Sequence, residues 1–348
     1  MRTGIVMTAR PGVEDFAARA EELGFSSFWV YDTPMVNGDP FVSLGLCAKA
    51  TSRIKLGIGV TSPALRSAPA AAAAVSSLNA IAPGRVICGI GTGNTARRTL
   101  GMLPTKMAAL ESFTTALQDL TAGRETEYSE GARSRTVKFL HVGPYVNTHD
   151  PVEFVVAAFG LKAAAIAGRR GVGVISFGIL DPQAWTALDG ARGEAAHDAG
   201  QRQQVDSYVM TSLRVLAEGE DRHGDLARDT MGHIALALLT FAADNSAFAE
   251  SLEPDEADAV QRLLERRGTT ATDPNRHATL YRGYLGRIAE EDRDLILPSL
   301  IDKLSLIGTR DELRERIATM EKAGVDEIII QPVVDPEAEM AELSRLMV

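Results

Sequence analysis

The sequence predicts an α/β protein built on a parallel sheet, and three observations carry that expectation. Residues 54–94 spell a complete strand–helix–strand unit: an apolar run from Ile54 to Val60, a turn at Thr61-Ser62-Pro63, an alanine-rich helix over 68–81, the breaker Pro83-Gly84, and a second apolar run over 85–90 ending in Gly91-Thr92-Gly93-Asn94. Both runs are apolar at nearly every position, the pattern of strands covered on two faces. The chain before this unit already alternates strand and helix with short joints, which predicts parallel strands joined by right-handed crossovers. Periodicity alone does not separate a closed barrel from an open sheet.

The elements follow in order. Residues 3–9 are a short apolar strand turned by Pro11-Gly12. Val13, Phe16, Ala17, Ala20 and Leu23 recur at helical spacing with Glu14, Arg19, Glu21 and Glu22 between them, and Gly24 closes the helix. Residues 27–31 are the next strand, with Trp29 in its core, and 39–50 a helix. After Asn94 a helix spans 103–122, and Met102, Met107 and Leu110 read as core. The segment 123–150 carries KFLHV and PYVNT around Gly143-Pro144 and reads as an irregular or hairpin insertion. Residues 151–158 are a buried strand, 161–169 a helix, 171–177 a strand, 181–200 a helix and 205–216 a strand. From 218 to 294 the chain is polar; 229–243 is its most apolar helix and 262–277 reads as loop or lid. A helix at 310–323, Gly324 and a strand at 327–331 close the pattern, for about eight strands in all, with element ends good to ~2–4 residues.

Composition excludes several functions. The net charge of −10 argues against nucleic acid and anionic membranes as partners. The two cysteines, Cys47 and Cys88, stand in apolar contexts without metal spacing, so they read as buried small residues and no metal site is expected. The N-terminal apolar run is short for a signal peptide, and no charge-free apolar run reaches the ~18 residues of a membrane span. The expectation is a soluble, cytoplasmic protein acting on a small molecule.

The strand ends are where a parallel α/β sheet places its ligands. Here they are Asp32-Thr33, Gly59-Val60-Thr61-Ser62, Gly91-Thr92-Gly93-Asn94, Phe159-Gly160, Ser176 and Gln331. The set is rich in glycine and hydroxyls, and Asp32 alone is ionisable. Without paired carboxylates or a Ser-His-Asp order it suits hydrolysis poorly. It suits holding a flat redox cofactor that brings its own chemistry. Ala158-Phe159-Gly160-Leu161-Lys162 is a strand-to-helix turn whose backbone N–H groups and lysine attract phosphate. Asp32 reads equally well as a turn cap. Arg66, Arg97 and Arg98 follow these turns and read individually as solvated surface arginines. The six histidines, at 141, 149, 197, 223, 233 and 277, fall away from the strand ends and read as surface or loop residues, with His141 or His149 able to reach the site only from the 123–150 insertion.

IKLGIGVTSP and GRVICGIGTGN, with GVEDFAARAEELGFSSFWVYD at 12–32 and IGTRDELRERIATMEKAGVDEIIIQP at 307–332, resemble the luciferase-like flavin enzymes, in particular the branch that uses the deazaflavin coenzyme F-420. The match covers both ends and much of the first half, and is weak from about 180 to 292. The resemblance implies one (β/α)8 TIM barrel over 1–348, with insertions at about 123–150 and 181–300 shaping the substrate pocket. It implies F-420 held by Gly59, Val60, Thr61, Ser62, Gly91, Thr92, Gly93, Asn94, Ala158, Phe159, Gly160, Leu161, Lys162 and Ser176. It also implies a non-proline cis peptide at Gly59-Val60 forming a bulge behind the ring, and a homodimer assembled near the 68–81 helix.

Asp32, Thr33 and Asn94 would contact the reacting groups. Related deazaflavin enzymes often carry Asp-His where this chain has Asp32-Thr33, and sugar-phosphate dehydrogenases of the branch have a glutamate where Asn94 stands. Both acid–base groups are missing, which argues against a sugar-phosphate alcohol as hydride donor. The main reading is therefore an F-420-dependent oxidoreductase. The alternatives are an FMN-dependent monooxygenase fed by a separate flavin reductase, ranked second because this chain lacks the Gly-Trp-Asn motif of many FMN members, and a non-catalytic flavin-binding barrel.

Overall fold

The apolar runs pair in chain order and close on themselves. The computed structural model describes residues 1–201 and 204–346. Its first half is β1 (Arg2–Met7), α1 (Val13–Glu22), β2 (Ser27–Val30), α2 (Pro40–Ala50), β3 (Lys55–Thr61), α3 (Ala68–Ile81), β4 (Val86–Ile90), α4 (Asn94–Arg98) and α5 (Met107–Thr121). Then come β5 (Thr126–Glu130), β6 (Arg133–Val137), β7 (Glu153–Ala157), α6 (Leu161–Arg170), β8 (Gly173–Phe177), α7 (Pro182–Asp198) and β9 (Tyr208–Val215). The second half continues with α8 (Asp225–Ala243), α9 (Ser246–Ala249), α10 (Pro254–Arg266), α11 (His277–Leu280), a 3-10 turn (Glu290–Leu295), α12 (Pro298–Leu304), β10 (Ser305–Gly308), α13 (Arg310–Lys322), β11 (Glu327–Ile330) and α14 (Pro336–Leu346).

Strands β1, β2, β3, β4, β7, β8, β9 and β11 form a closed parallel barrel, with Arg2 paired to Glu327 and Glu327 to Tyr208 across the seam. The short β10 adds to the C-terminal half of β9. Local chemistry sets the joints: Asp39, Ser67 and Thr309 accept backbone N–H bonds at the starts of α2, α3 and α13, and Gly24 turns past α1 at φ +85°.

The pleat divides each strand between two cores. Val6, Trp29, Ile87, Val155, Ile175, Tyr208, Met210 and Ile329 fill the lumen, while Ile5, Phe28, Leu56, Cys88, Val156 and Ile328 pack under the helices. Trp29 is fully buried in the lumen, edge-on to Tyr208 at 5.3 Å between ring centres. A Cβ on Gly57 would fall inside its ring. The indole N–H donates to Ser27 Oγ at 2.6 Å, and Ser27 donates to the buried Glu327 carboxylate, which Arg2 Nε reaches at 3.3 Å. Burial raises the Glu327 pKa, against the pull of Ser27 and Arg2.

Several expectations change. The 123–150 segment does hold a hairpin, β5–β6, but ahead of KFLHV and PYVNT, which are not strands. It joins the end of α5 to the start of β7, and Asn147 and Asp150 bond to Ser76 and Asn79 of α3. It therefore lies toward the N-terminal ends of the strands, away from the ligand-binding end, and the exposed His141 and His149 are not at the site. Of 181–300, the first part is the ordinary barrel helix α7. Residues 216–304 follow the C-terminal end of β9 and form a helical cap with its own core, including Met231, Ile234, Leu263, Leu295 and Ile301. Residues 262–266 are not loop but the end of α10, whose buried Ala259, Val260, Leu263 and Leu264 follow Pro254 and a Glu253–Glu256 capping box. His233 is buried against Ser212 Oγ at 3.1 Å, and burial lowers its pKa to about 4. Met102 and Met107 are exposed, while Leu110 is core as expected.

Packing of this kind predicts opposite outcomes for two glycines. Gly57→Ala forces the Trp29 ring aside and costs about 3 kcal/mol, whereas Gly190→Ala on α7, where a Cβ meets nothing, gains about 0.5–1 kcal/mol. Melting temperatures of the two variants check both signs.

Candidate active site

The C-terminal ends of β2, β3, β4, β7 and β8 bring the expected residues to one end of the barrel. β3 is irregular there. The Gly59–Val60 peptide bond is cis, as the resemblance implied, and the β3–β4 register shifts between Ile58 and Thr61. Gly59 and Val60 consequently both face inward: a Cβ on Gly59 would meet Met210 Cε at 2.7 Å, and Val60 leans on Gly89 and Gly91 of β4. Gly91 N donates to Thr61 O at 2.8 Å, tying the two strand ends together. Gly93 holds φ +73° with Ser62 so close that a Cβ would fall 2.6 Å from its Oγ. Gly59, Val60, Thr61, Ser62, Gly91 and Gly93 thus pack together at the mouth, with Thr92 and Asn94 next to them in the chain.

The turn after β7 forms the next part. Ala158 is buried and its N–H bonds to Ile175 O of β8 at 2.9 Å. Gly160 begins α6 with extended backbone, no side chain caps that helix, and a Cβ on Gly160 would meet nothing within 4 Å. Phe159 and Leu161 flank it at 63% and 55% exposure, unusual for large apolar side chains, and Lys162 is exposed beside them. Ser176 does not line the lumen. It falls between the inward Ile175 and Phe177, on the outward face with Val174 toward α6, and its buried hydroxyl has no partner.

Asp32 and Thr33 are both buried at the end of β2. Asp32 is ion-paired with Arg66, whose Nη2 also reaches Asp39 Oδ2 at 2.6 Å and whose guanidinium lies 4.8 Å over the Phe41 ring. Burial raises the Asp32 pKa, and Arg66 opposes it. Arg66 is thus no solvated surface arginine; it holds the one carboxylate of the site in place. Asp32 Oδ1 and Thr61 Oγ1 are both buried, and the Thr61 hydroxyl joins Arg66 in favouring the charged form of Asp32.

The cap descends on this mouth through contacts that the sequence did not signal. Leu285 enters the lumenal cluster, held by Gln331 Nε2 on its carbonyl at 2.5 Å, and Gln331 Oε1 accepts from Tyr31 at 2.8 Å. The hydroxyls of Tyr284 and Thr95 lie 3.2 Å apart. Arg98, also expected at the surface, is buried and joins Asn94 to Asp244 at the end of α8. Two cavities lie elsewhere: about 410 Å³ beside Asp189, Arg192 and Asp326 near the strand starts, and about 220 Å³ beside Arg267, Arg282 and Arg287 in the cap. Neither includes a strand-end residue, and the concentration of glycine and hydroxyl residues favours the mouth as the site.

Comparison with known proteins agrees with this geometry. The model of the luciferase-like monooxygenase family matches residues 6–327. The chain belongs to that family. Among its relatives is a 5,10-methylenetetrahydromethanopterin reductase of Archaeoglobus fulgidus, 24% identical over 93% of this chain and 90% of the relative. An F-420-dependent glucose-6-phosphate dehydrogenase of Kineococcus radiotolerans is 34% identical over 79% of this chain and 84% of the relative. The solved F-420-dependent tetrahydromethanopterin reductase of Methanopyrus kandleri shares the fold at a TM-score of 0.68 and 20% identity, covering 99% of this chain and 97% of that one.

Within this luciferase-like barrel, the turn at Gly160 offers a clean test. Gly160→Val introduces no clash and no strained φ, so the variant folds with the wild-type melting temperature. If a cofactor phosphate rests on the start of α6, its binding weakens at least tenfold, about 1.4 kcal/mol. Unchanged cofactor affinity in the folded variant removes the turn from the site.

Proposed function

We propose that this protein is an F-420-dependent oxidoreductase acting on a small organic substrate at the barrel mouth. The observation that carries the reading is the character of the mouth. It offers backbone, hydroxyl and amide groups, while its single carboxylate, Asp32, is locked to Arg66. Such a site binds and orients; the electron chemistry belongs to a bound cofactor. When bound, the deazaflavin supplies a two-electron hydride couple at its C5 carbon. Gly59 and Val60 would back the ring, and Thr61, Ser62, Gly91, Thr92, Gly93 and Asn94 would border it. Ala158, Phe159, Gly160, Leu161 and Lys162 would hold the phosphate, with Ser176 behind that turn. Thr33 and Asn94 would hold the substrate or a ring carbonyl without titrating. The F-420-dependent relatives support the same cofactor.

Cofactor class is tested by titrating the purified protein with F-420, FMN and FAD, with F-420 expected to bind tightest. Turnover with reduced F-420 and an acceptor then proceeds at the same rate with and without oxygen. Replacing Thr33 or Asn94 by Ala lowers the rate without moving the pH profile, because neither group ionises. The second reading, an FMN monooxygenase, draws on the family model and on a limonene 1,2-monooxygenase of Rhodococcus erythropolis, 25% identical over 64% of this chain and 59% of the relative. An oxygen requirement, with one oxygen atom in the product, would establish it instead.

The working assembly in this reading is a cytoplasmic homodimer. No helix among the described residues is long and apolar enough to cross a membrane. Val42 and Leu46 of α2 stand exposed beside the small outer residues Ala70, Ser77 and Ala80 of α3. That face lets another helix approach closely. Light scattering at micromolar concentration is expected to give twice the mass of one chain, and a monomer mass contradicts the assembly.

A further inference from the structure

Asn94 opens α4 directly after the strand-end glycines, and its amide is not free to choose a direction. Its Oδ1 accepts from Arg98 Nε at 2.8 Å. Arg98 is held in turn. Its Nη1 donates to the Asp244 carbonyl oxygen at 2.7 Å and to Asp244 Oδ2 at 3.0 Å, and its guanidinium lies 5.2 Å over the Phe241 ring. Asp244 also receives Arg276 Nε at 2.8 Å and the Tyr281 hydroxyl at 3.3 Å, so two cap residues at the ends of α11 hold this carboxylate together with Arg98. A primary amide has one acceptor oxygen and one NH2 with two donors. With the oxygen turned to Arg98, the NH2 group is the end of the Asn94 amide left to meet a ligand.

Asp32, Tyr31 and Tyr284 do not supply the missing base. Asp32 is committed to Arg66. The Tyr31 hydroxyl serves Gln331, and that of Tyr284 pairs with Thr95. Burial raises the pKa of both phenols, so each keeps its proton near neutrality. Oxidation of an alcohol requires a group that takes the O–H proton, and none of these does. A reaction that builds negative charge on an oxygen, without protonating that oxygen in the same step, suits a fixed neutral donor.

Resting on the F-420 reading, we propose that Arg98 is a positioning residue that fixes Asn94 as a hydrogen-bond donor, and that the substrate is a conjugated carbonyl compound whose oxygen gains charge against Asn94 Nδ2. In the balanced step, the β-carbon of the acceptor receives a hydride with its electron pair from the reduced cofactor, which is oxidised by two electrons. The C=C pair shifts toward the carbonyl, whose oxygen becomes an enolate beside Asn94. Water then supplies a proton to the α-carbon, the C=O bond re-forms, and the N–H proton that the oxidised cofactor gives up neutralises the hydroxide.

The experiment uses the full chain, reduced F-420 and cyclohex-2-en-1-one as the probe acceptor, with Arg98→Met and Asn94→Asp as variants. Asn94→Asp leaves the Arg98–Asp244 contact available if Arg98→Met folds poorly. F-420 binding is measured first by fluorescence quenching, and its absence overturns the cofactor reading by itself. The side-chain amide of Asn94 is followed separately in protein labelled with nitrogen-15 asparagine, its signal assigned by its loss in Asn94→Asp.

The wild type is expected to reduce the enone. Asn94→Asp lowers kcat about a hundredfold or more, and Arg98→Met lowers it at least tenfold while keeping the F-420 affinity within about twofold. The Asn94 amide signal shifts in Arg98→Met without ligand, and in the wild type when the enone is added to protein holding oxidised F-420. An Asn94 signal indifferent to both the Arg98 substitution and the enone overturns the proposal, whether or not the probe is turned over. So does unchanged kcat in Asn94→Asp, or a loss in Arg98→Met that falls on cofactor affinity alone.

Discussion

The barrel depends on the fit between Trp29 and the glycines facing it. An eight-stranded barrel has a lumen just wide enough for side chains to fill, and a fully buried indole takes a large share of it. That is possible because β3 presents Gly57 where a side chain would collide with the ring and Gly59 beside it. The indole N–H would carry a penalty if left unpaired; Ser27, backed by Glu327, accepts it. Filling the lower lumen with Trp29, Tyr208 and Ile329 leaves the upper lumen for function. There β3 departs from regular geometry at Gly59–Val60, and its neighbours end in glycine and hydroxyl residues.

Above this floor, the cap and the barrel are coupled through polar contacts at the mouth. Gln331 links Tyr31 of β2 to the carbonyl of Leu285. Arg98 links the turn after β4 to the end of α8. Both chains pass through strand-end residues, so the position of the cap and the orientation of the site groups are one structural variable. The family fold supplies the barrel, and the cap of residues 216–304 is well placed to distinguish this member's substrate, because it overhangs the strand ends.

Much of this is legible in the sequence because local rules and global fold agree there. α3 is legible from its alanine run and the Pro83-Gly84 breaker that follows it, and Ser67 caps it with Pro69 in the first turn. The glycines that follow the apolar runs of β3 and β4 mark the mouth by their position alone. The features that sequence does not show follow from weaker signals. β10 is four residues directly behind a short helix and pairs only with the far half of β9, too little for a period-two pattern. α10 is legible through its Pro254 start and capping box but is masked by its many charges. Arg66 and Arg98 look like surface residues because sequence shows their charge and not their partners: Asp32 lies 34 positions from Arg66, and Asp244 lies 146 from Arg98.

The central claim is that a deazaflavin lies in the barrel mouth against the Gly59–Val60 bulge. A crystal structure of the protein with F-420 tests it most directly. The account predicts the ring packed beside Val60, bordered by Gly91 to Asn94, with the phosphate on the backbone N–H groups that begin α6 at Gly160. A ring lodged instead in the arginine-lined cavity of the cap, or a phosphate held away from α6, would contradict it.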